Sequence, residues 1–488
     1  VAPAVSAVAE AAVVPVPVPA PARVVPAPVP VVDAKMSSLS SMELKPGIYK
    51  FDISEANQRS RLHLRVDEDL SGLLVINASR IIYLNRTAML MAYFHLSKVD
   101  SDLALKHLLA TFEISKKQLQ QDFQKTVDTI DALIDENSGA CPICDLGLSV
   151  DMPFSSRLSA PYRMDLAITY RCNLNCAHCY NGRERNYPEL PTSEWKKILD
   201  RLWQIGIPHV VFTGGEPTLR DDLPDLVGYA DQLGMVTGIN TNGTRLGNRN
   251  FLDSLIQAGL DHVQITLESH DPSIHEAMVQ RQGAWQKTIA GIKNVVDSKL
   301  YMMTNTTLLS NNANQLEETL DFLSELKVPT VGLNALIYSG KGKSVQTGLR
   351  EEELPPLLEL AIQKTNQNQQ RLIWYTPTQY CHFDPMMLDL GIKGCTAAYY
   401  NMCLEPDGNV IPCQSYYQAV GNILTDEWKA IWEHPLCLEI RERRNIPEEC
   451  RFCDFLQECG GGCPLARDQQ TPKAIYRDLI YNGAPNER

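Results

Sequence analysis

The sequence predicts an α/β protein built on a partial (β/α)6 barrel, preceded by a winged-helix-like unit and followed by a cysteine-rich, irregular domain. Three observations carry this. From about residue 163, short apolar strands alternate six times with amphipathic helical stripes, the pattern of a parallel sheet with crossover helices. Upstream, a strand-rich stretch is followed by three helical segments. Downstream of about Gly391, regular periodicity gives way to closely spaced cysteines, which suggests folding around metal rather than around a large apolar core.

At 488 residues the chain exceeds one ordinary domain. Composition shifts divide it into an arm over 1–35, a winged-helix unit over 36–136, a linker over 137–162, the barrel over 163–340, a helical bridge over 341–390 and the cysteine-rich domain over 391–488. With 44% apolar and 21% charged residues, and no apolar run near the roughly 18 residues of a membrane span, it reads as a soluble protein without a membrane partner. A net charge of -13 argues against nucleic acid, whose phosphates call for a basic excess. The start lacks the basic region and continuous apolar core of a secretory signal, so the expected location is cytoplasmic. The 14 cysteines, clustered in a large chain, fit metal ligation in a reducing compartment better than disulfides.

The arm uses only Val, Ala, Pro, Ser, Glu, Arg and Asp over its first 34 residues, a composition that favours an extended, disordered segment. Because Met36 follows it, the arm is either a flexible extension or an upstream reading of the true start. An embedded peptide substrate is the sharper alternative, but the first 34 residues have no Cys, Tyr, Trp or Lys to modify. In the next unit, residues 61–66 alternate, and Gly72–Ile76 and Arg80–Asn85 form a strand pair around Asn77-Ala78-Ser79. Three helices follow. Leu90, Met91, Phe94 and Leu96 fill the first, Leu103, Leu105, Leu108 and Leu109 the second, and Leu119, Phe123, Val127, Ile130 and Leu133 stripe the third to about Glu136.

In the barrel the predicted strands are Asp165–Tyr170, His209–Thr213, Met235–Asn240, His262–Leu267, Tyr301–Leu308 and Thr330–Leu336. Ligands of such a sheet bind at the strands' carboxyl ends. Just after the first strand stand Cys172, Cys176 and Cys179 in a C-x3-C-x2-C loop. Three thiolates hold three irons of a 4Fe-4S cube and leave the fourth iron open. A structural zinc site needs four closed ligands, and only His178, awkwardly placed, offers itself as the fourth.

This loop and its position resemble the radical S-adenosylmethionine (SAM) superfamily over about 163–340, and further motifs follow in order. Gly214-Gly215-Glu216-Pro217 after the second strand resembles the family's GGEP motif, which binds the methionine amino group; two glycines allow close backbone approach, and a carboxylate can pair with an ammonium. Asn240-Thr241-Asn242-Gly243 after the third matches the turn near the ribose, with Asn240 and Asn242 facing SAM. Thr266-Leu267-Glu268 after the fourth resembles a Ser-Leu-Asp segment, placing Thr266 near the SAM carboxylate with Glu268 beside it, and Arg281 would neutralise that carboxylate. The resemblance implies reductive cleavage of SAM to methionine and a 5'-deoxyadenosyl radical, which abstracts hydrogen from a substrate. A flavodoxin- or ferredoxin-type electron donor is implied as well.

The downstream order Cys395, Gly408, Cys413, Cys450, Cys453, Cys459 and Cys463 resembles the SPASM extension of such enzymes, which carries one or two auxiliary iron-sulfur clusters. By the family pattern Cys395, Cys413 and Cys463 hold the first, with Cys403 a candidate fourth ligand, and Cys450, Cys453 and Cys459 begin the second. The family's further downstream cysteine is missing: none follows Cys463. The second cluster is then open, differently ligated or absent, with Asp468, Cys437 and Cys381 as conceivable substitutes. Cys141-Pro-Ile-Cys144 in the linker is an idle or structural thiol pair, or half of another metal site.

Gly72-Leu-Leu-Val-Ile-Asn77 and Ile81-Ile-Tyr-Leu-Asn85-Arg-Thr-Ala88, with the helices after them, resemble the peptide-recognition domain of the pyrroloquinoline quinone peptide chaperone family. That family takes up a leader peptide as an added strand. DNA binding is disfavoured, since Met36–Glu136 carries 12 Lys and Arg against 14 Asp and Glu. A unit that merely docks on the barrel is the third reading. Together these resemblances imply a maturase of a ribosomally synthesised peptide, installing a crosslink, an epimerisation or a backbone excision. A sulfatase maturase or a tetrapyrrole side-chain modifier is the alternative enzyme. Sulfatase maturases carry Asp directly after the second SPASM cysteine, where this chain has Gln414. A non-catalytic peptide scaffold is the alternative outside enzymes, but it needs neither the SAM loop nor the GGEP residues.

Overall fold

Alternation along the strand that contains Arg61–Val66 organises the first unit. The computed structural model describes residues 44–55, 58–76, 80–135, 158–298 and 300–467. Strands β1 (Gly47–Glu55), β2 (Gln58–Val66), β3 (Gly72–Ile76) and β4 (Arg80–Leu84) form an antiparallel sheet in that order. Helix α1 (Arg86–Leu96) is capped by Asn85, which accepts from the Ala88 N–H, and α2 (Ser101–Thr111) by Asp100. With α3 (Lys116–Asp135) they cover one face of the sheet, burying Leu62, Leu64, Leu74 and Ile76 against Met89, Phe94, Leu108 and Leu119.

The other face is covered too. Arg61, His63 and Arg65, which alternate with the β2 leucines, are no more than 3% exposed. A polar alternation that reads as a solvent face is instead the contact with the barrel, as shown below. β1 is absent from the strands the sequence predicts for the same reason: Ile48 joins the barrel core and Tyr49 the helical core, so apolar residues stand on both faces and no clean alternation arises.

The barrel strands are β5 (Arg163–Thr169), β6 (His209–Gly214), β7 (Val236–Thr241), β8 (His262–Thr266), β9 (Tyr301–Thr307) and β10 (Thr330–Asn334). Between them run α4 (Thr192–Ile205), α5 (Leu223–Leu233), α6 (Arg249–Gln257), α7 (Pro272–Val279), α8 (Ala284–Val296) and α9 (Leu316–Glu325). The α4 stripe of Trp195, Ile198, Leu199, Leu202 and Trp203 is buried, and Gly206 ends the helix in the left-handed conformation. Helix α10 (Leu354–Gln367) then leads to β11 (Arg371–Trp374), which adds to the six strands in parallel beside β10.

β12 (Asn401–Leu404) pairs in parallel with β5 on the opposite edge, and β13 (Asn409–Ile411) and β14 (Gly421–Asn422) continue from it antiparallel. Among the described residues the result is one ten-stranded sheet ordered β11-β10-β9-β8-β7-β6-β5-β12-β13-β14. Short helices α11 (Trp428–Trp432), α12 (Pro435–Arg441), α13 (Leu456–Cys459) and α14 (Pro464–Arg467) are the last described elements.

The sheet's helix-covered face is apolar, with Leu166, Phe212, Ile239, Ile265 and Leu333 in the main core. Side chains alternate along a strand, so Gln264 and Thr266 of β8, Asn240 of β7, Asn305 of β9 and Asn334 of β10 occupy the other, concave face. A polar concave face beside the strands' carboxyl ends is where a polar ligand fits. Among the described residues no helix is long and apolar enough to cross a membrane. The arm, Cys141, Cys144 and Asp468 lie outside the described residues.

Candidate functional site

The C-x3-C-x2-C loop leaves β5 and is clamped from two sides. On one, the Asn175 and Ala177 N–H groups donate to the Val279 and Met278 carbonyls at 3.0 and 2.9 Å, and Asn175 Nδ2 donates to Gln280 Oε1 at 2.9 Å. On the other, Lys341 N–H donates to the Cys179 carbonyl at 2.9 Å while Lys341 Nζ reaches Asn175 Oδ1 at 2.7 Å. Gly340 sits at φ 53°, and a side chain there would strike the Asn181 and Cys179 carbonyls. Arg185 closes the loop by donating to the carbonyls of Cys172 and Leu174.

Cys172, Cys176 and Cys179 are thereby brought together. Burial pushes the Cys172 thiol up to about 11, and Cys176 is raised by burial and then by Cys179, Glu268 and Cys172. Crowded, half-buried thiols resist ionising in the bare protein, and a cationic cluster removes that penalty, so the donor set fits one. Among the described residues no three His, Cys, Asp or Glu side chains converge closely enough for one bare ion. Zinc requires all its ligands at one ion, whereas a cube distributes thiolates over separate irons. His178 does not turn to the thiols: its Nε2 meets Glu268 Oε1 at 2.9 Å.

Gly214 and Gly215 follow β6, and the structure gives a specific reason for both. A Cβ on Gly214 would lie 2.1 Å from the Thr169 carbonyl oxygen, and one on Gly215 would lie 2.4 Å from that of Arg171. The close approach is therefore to the backbone that carries the cysteine loop, sealed by N–H bonds from Gly215 to Thr169 O and from Glu216 to Arg171 O. Pro217 is buried and opens a short 3-10 turn. The Glu216 carboxylate is buried and fully committed. Oε1 accepts from Thr218 N–H, Thr218 Oγ1 and Thr241 Oγ1, and Oε2 from Asn242 N–H at 2.7 Å. It fastens the third loop to the second.

Asn242 links that third loop to the first, its Nδ2 donating to Asn173 Oδ1 at 2.8 Å. Glu268 is committed likewise, accepting from Thr307 N–H at 2.9 Å besides its contact with His178. Asn240 and Thr266 are half-buried on the concave face, and Arg281 is exposed at the turn between α7 and α8. Asn305, beside Thr266 across the β8–β9 ladder, was not singled out by motif. Its Oδ1 is buried without a hydrogen-bond partner among the described residues, an acceptor suited to a bound ligand. Its only sequence signal is the polar run Thr304-Asn305-Thr306-Thr307 at the carboxyl end of a strand.

The C-terminal cysteines form two groups. Cys413 is raised by burial and then by Cys395 and Cys463, and Cys463, pushed up to about 12, feels burial first and then Cys395. Cys403 stands on β12 opposite Asp165, packed with Ala167, Tyr170 and Ile411, and its thiol donates to the Leu404 carbonyl. It feels Cys413 as well, after Asp165. Cys450, Cys453 and Cys459 influence one another and make the second group. Gly460, Gly461 and Gly462, all at positive φ, turn the chain between Cys459 and Cys463 so that these two thiols serve different groups.

The two halves of the site are joined by Arg183, whose guanidinium holds the buried Glu405 carboxylate at 2.6 and 2.9 Å. A cavity of about 500 Å³ opens in the C-terminal part, lined by Cys395, Tyr416, Arg443 and Arg467 among others, with Tyr338 and Lys343 bordering it from the segment after β10.

Comparison with known proteins places these features. Residues 166–323 match the radical SAM superfamily, and residues 395–454 match SPASM, an iron-sulfur cluster-binding domain. SuiB of Streptococcus suis bound to the precursor peptide SuiA is similar at TM-score 0.64 and 18% identity, over 86% of this chain and 97% of that one. SuiB bound to S-adenosylmethionine is similar at TM-score 0.61 and 19% identity, over 84% and 95%. Native anSMEcpe with bound AdoMet and Kp18Cys peptide is similar at 0.52 and 19%, over 66% and 95%.

Proposed function

This chain is a radical SAM enzyme with SAM and iron-sulfur clusters as its cofactors, and from that premise we propose that it matures a ribosomally synthesised peptide whose leader is held by the N-terminal unit. One observation carries the reading: the β1–β4 sheet is fixed to the barrel through its face, and among the described residues neither edge strand, β1 or β4, has a further strand partner. A sheet edge offers unpaired N–H and C=O groups to an extended peptide. The likeness to SuiB, solved with a precursor peptide, spans 86% of this chain, whereas that to anSMEcpe spans 66%. The wider span leaves room for a leader-binding unit.

When bound, the cluster and SAM supply a carbon-centred radical able to take hydrogen from a substrate carbon. The residues of this chain bind and aim. Cys172, Cys176 and Cys179 would hold three irons. The Gly214–Pro217 backbone would receive the SAM ammonium, since the Glu216 carboxylate is already occupied by four donors. Asn240, Thr266 and the unpaired Asn305 Oδ1 would line the bound ligand, with Arg281 at its outer rim, while Asn242 and Glu268 set the loops around it. Cys395, Cys403, Cys413 and Cys463 would hold a first auxiliary cluster, and Cys450, Cys453 and Cys459 a second. A flavodoxin- or ferredoxin-type donor in a reducing cytoplasm would supply electrons.

The test is mass spectrometry of a candidate precursor, from a small neighbouring open reading frame, co-expressed with the full chain under oxygen-poor conditions. A mass change with the wild type that is lost in Cys176→Ala supports the reading and reveals whether the product is a crosslink, an epimer or an excision. If the full chain binds no leader while deletion of 36–136 leaves turnover intact, the unit only docks. Absence of SAM cleavage above the Cys176→Ala control would favour a scaffold. Gln414, where sulfatase maturases carry Asp, weighs against that alternative.

A further inference from the structure

The second cysteine group contains three residues, and a cube with three protein ligands has an open iron. The turn that contains Cys381 lies against this group, although it precedes the cysteine-rich domain in sequence. The Tyr380 N–H donates to Cys459 Sγ at 3.4 Å, and the Cys459 thiol points back to the Thr378 carbonyl at 3.7 Å. A Cβ on Gly462 would meet Gln379 Cγ at 2.9 Å, so the glycine run after Cys459 is what admits this turn. Tyr380 also meets the Phe455 ring at 6.5 Å.

The turn is fixed independently of any cluster. His382 and Phe383 N–H both donate to the Gln379 carbonyl, and Thr378 Oγ1 donates to that of Phe383. The buried Glu351 carboxylate accepts from Gln379 N–H at 2.9 Å and meets His382 Nδ1 at 3.2 Å. Tyr380 and His382 are buried on either side, while Cys381 between them is exposed. Its thiol feels Cys459 and Cys450 after the effect of burial.

We propose that Cys381 is the fourth protein ligand of the iron-sulfur cluster begun by Cys450, Cys453 and Cys459, supplied from upstream of the cysteine-rich domain. The other described candidate is elsewhere: Cys437 lies on α12, fully buried in the main apolar core beside Leu436, its thiol raised by burial and opposed by Arg441. Four thiolates leave no vacant iron. The second auxiliary cluster is then an electron-transfer centre, and an open iron is confined to the Cys172 group and, if Cys403 does not bind, the first auxiliary group.

The test reads iron and thiol reactivity rather than turnover. The full-length protein, reconstituted anaerobically, should bind about 12 irons, four for each of three cubes. Cys381→Ala should lower this to about 8 or change the reduced electron paramagnetic resonance spectrum of one cluster only. Cys381→Ser should retain iron and shift that cluster's signal, and Cys437→Ala should do neither. In the wild type, exposed Cys381 should be alkylated by iodoacetamide at least about tenfold more slowly with clusters bound than after chelation, since metal-bound thiolate is protected. Equal alkylation in both states, or an unchanged spectrum and iron content in both Cys381 variants, overturns the assignment. Wild-type protein that never exceeds about 8 irons overturns it differently, by removing the second auxiliary cluster itself.

Discussion

The Tyr180 phenol donates to Gln414 Oε1 at 3.2 Å, joining the residue after Cys179 to the residue after Cys413. The bond ties the barrel's cysteine loop directly to the first auxiliary group, and Thr213 reaches the same phenol oxygen. Both partners sit one residue from a thiol, so their hydrogen bond fixes how the two groups face each other.

Tyr180→Phe keeps the ring and removes these bonds. Each intramolecular hydrogen bond contributes about 1 kcal/mol, so the expected loss is about 1–2 kcal/mol with iron content unchanged. Thermal denaturation alongside iron analysis checks this. A melting temperature equal to the wild type would mean the contact is incidental.

Gly215→Ala should be far more damaging than its size suggests. The new methyl would lie 2.4 Å from the Arg171 carbonyl oxygen and 2.6 Å from that of Tyr170, both backbone atoms that cannot swing away. Relief requires moving the strand end that carries Cys172. The expectation is a cost of about 1–3 kcal/mol, as for overpacking, with SAM binding weakened at least about tenfold. Gly247→Ala, exposed and with its nearest contact at 3.4 Å, is the matched control. Isothermal titration with SAM on the reconstituted proteins separates the two.

These positions also show what the sequence made legible. The six barrel strands and the three-cysteine loop are local patterns, a periodicity and a spacing, and both were readable. The glycines were readable as sites of close approach, but not what they approach, because Thr169 and Arg171 stand more than 40 residues earlier. Glu216 reads as a free anion until Thr218, Thr241 and Asn242 are seen to saturate it. Cys381 belongs to no spacing motif, since its neighbours come from the far side of α10 and β12. Long-range pairing of polar groups leaves no periodic trace in the chain.

Arg183 and Glu405 should respond unequally to substitution. Glu405 is fully buried, while Arg183 retains 29% exposure. Removing the arginine in Arg183→Met strands a buried carboxylate that, among the described residues, keeps the Tyr170 hydroxyl at 3.2 Å, an expected cost of about 3 kcal/mol. Glu405→Gln leaves an arginine that can turn to water, and about 1 kcal/mol is expected. Urea denaturation of the two variants gives the comparison; equal losses would mean burial does not set the asymmetry.

Docking of the N-terminal unit should weaken in acid through His63. Three polar side chains of the β2 face meet the barrel: Arg61 pairs with Asp231 and, at 3.3 Å, with Asp261, and donates to the Met235 carbonyl; His63 Nε2–H donates to the Gly234 carbonyl at 2.8 Å; and Arg65 donates to the Ala160 carbonyl at 3.0 Å. Burial holds the His63 imidazole down at about 4, opposed by its bond to Gly234 and reinforced by Arg61 and Lys50 against Asp52. Above its ordinary value of 6.5 the ring is neutral whether docked or free, so stability there is independent of this group. Between 6.5 and about 4 the free ring takes a proton that the docked ring refuses, so docking loses stability as pH falls, by about 3 kcal/mol across the window. His63→Gln keeps an N–H donor and cannot titrate. Hydrogen exchange of the β2 amides should therefore accelerate between pH 7 and pH 5 in the wild type beyond the intrinsic change, and do so less in the variant. The buried His209–His262 pair adds its own acid sensitivity within the barrel: His209 is held down by burial first, then by His262 and Arg163, with His63 the last-ranked contributor, so the substitution changes it little. Superimposable pH profiles for wild type and His63→Gln would remove His63 from the interface energetics and leave docking to the two arginines and to the apolar contacts of Ile48, Leu73 and Val75.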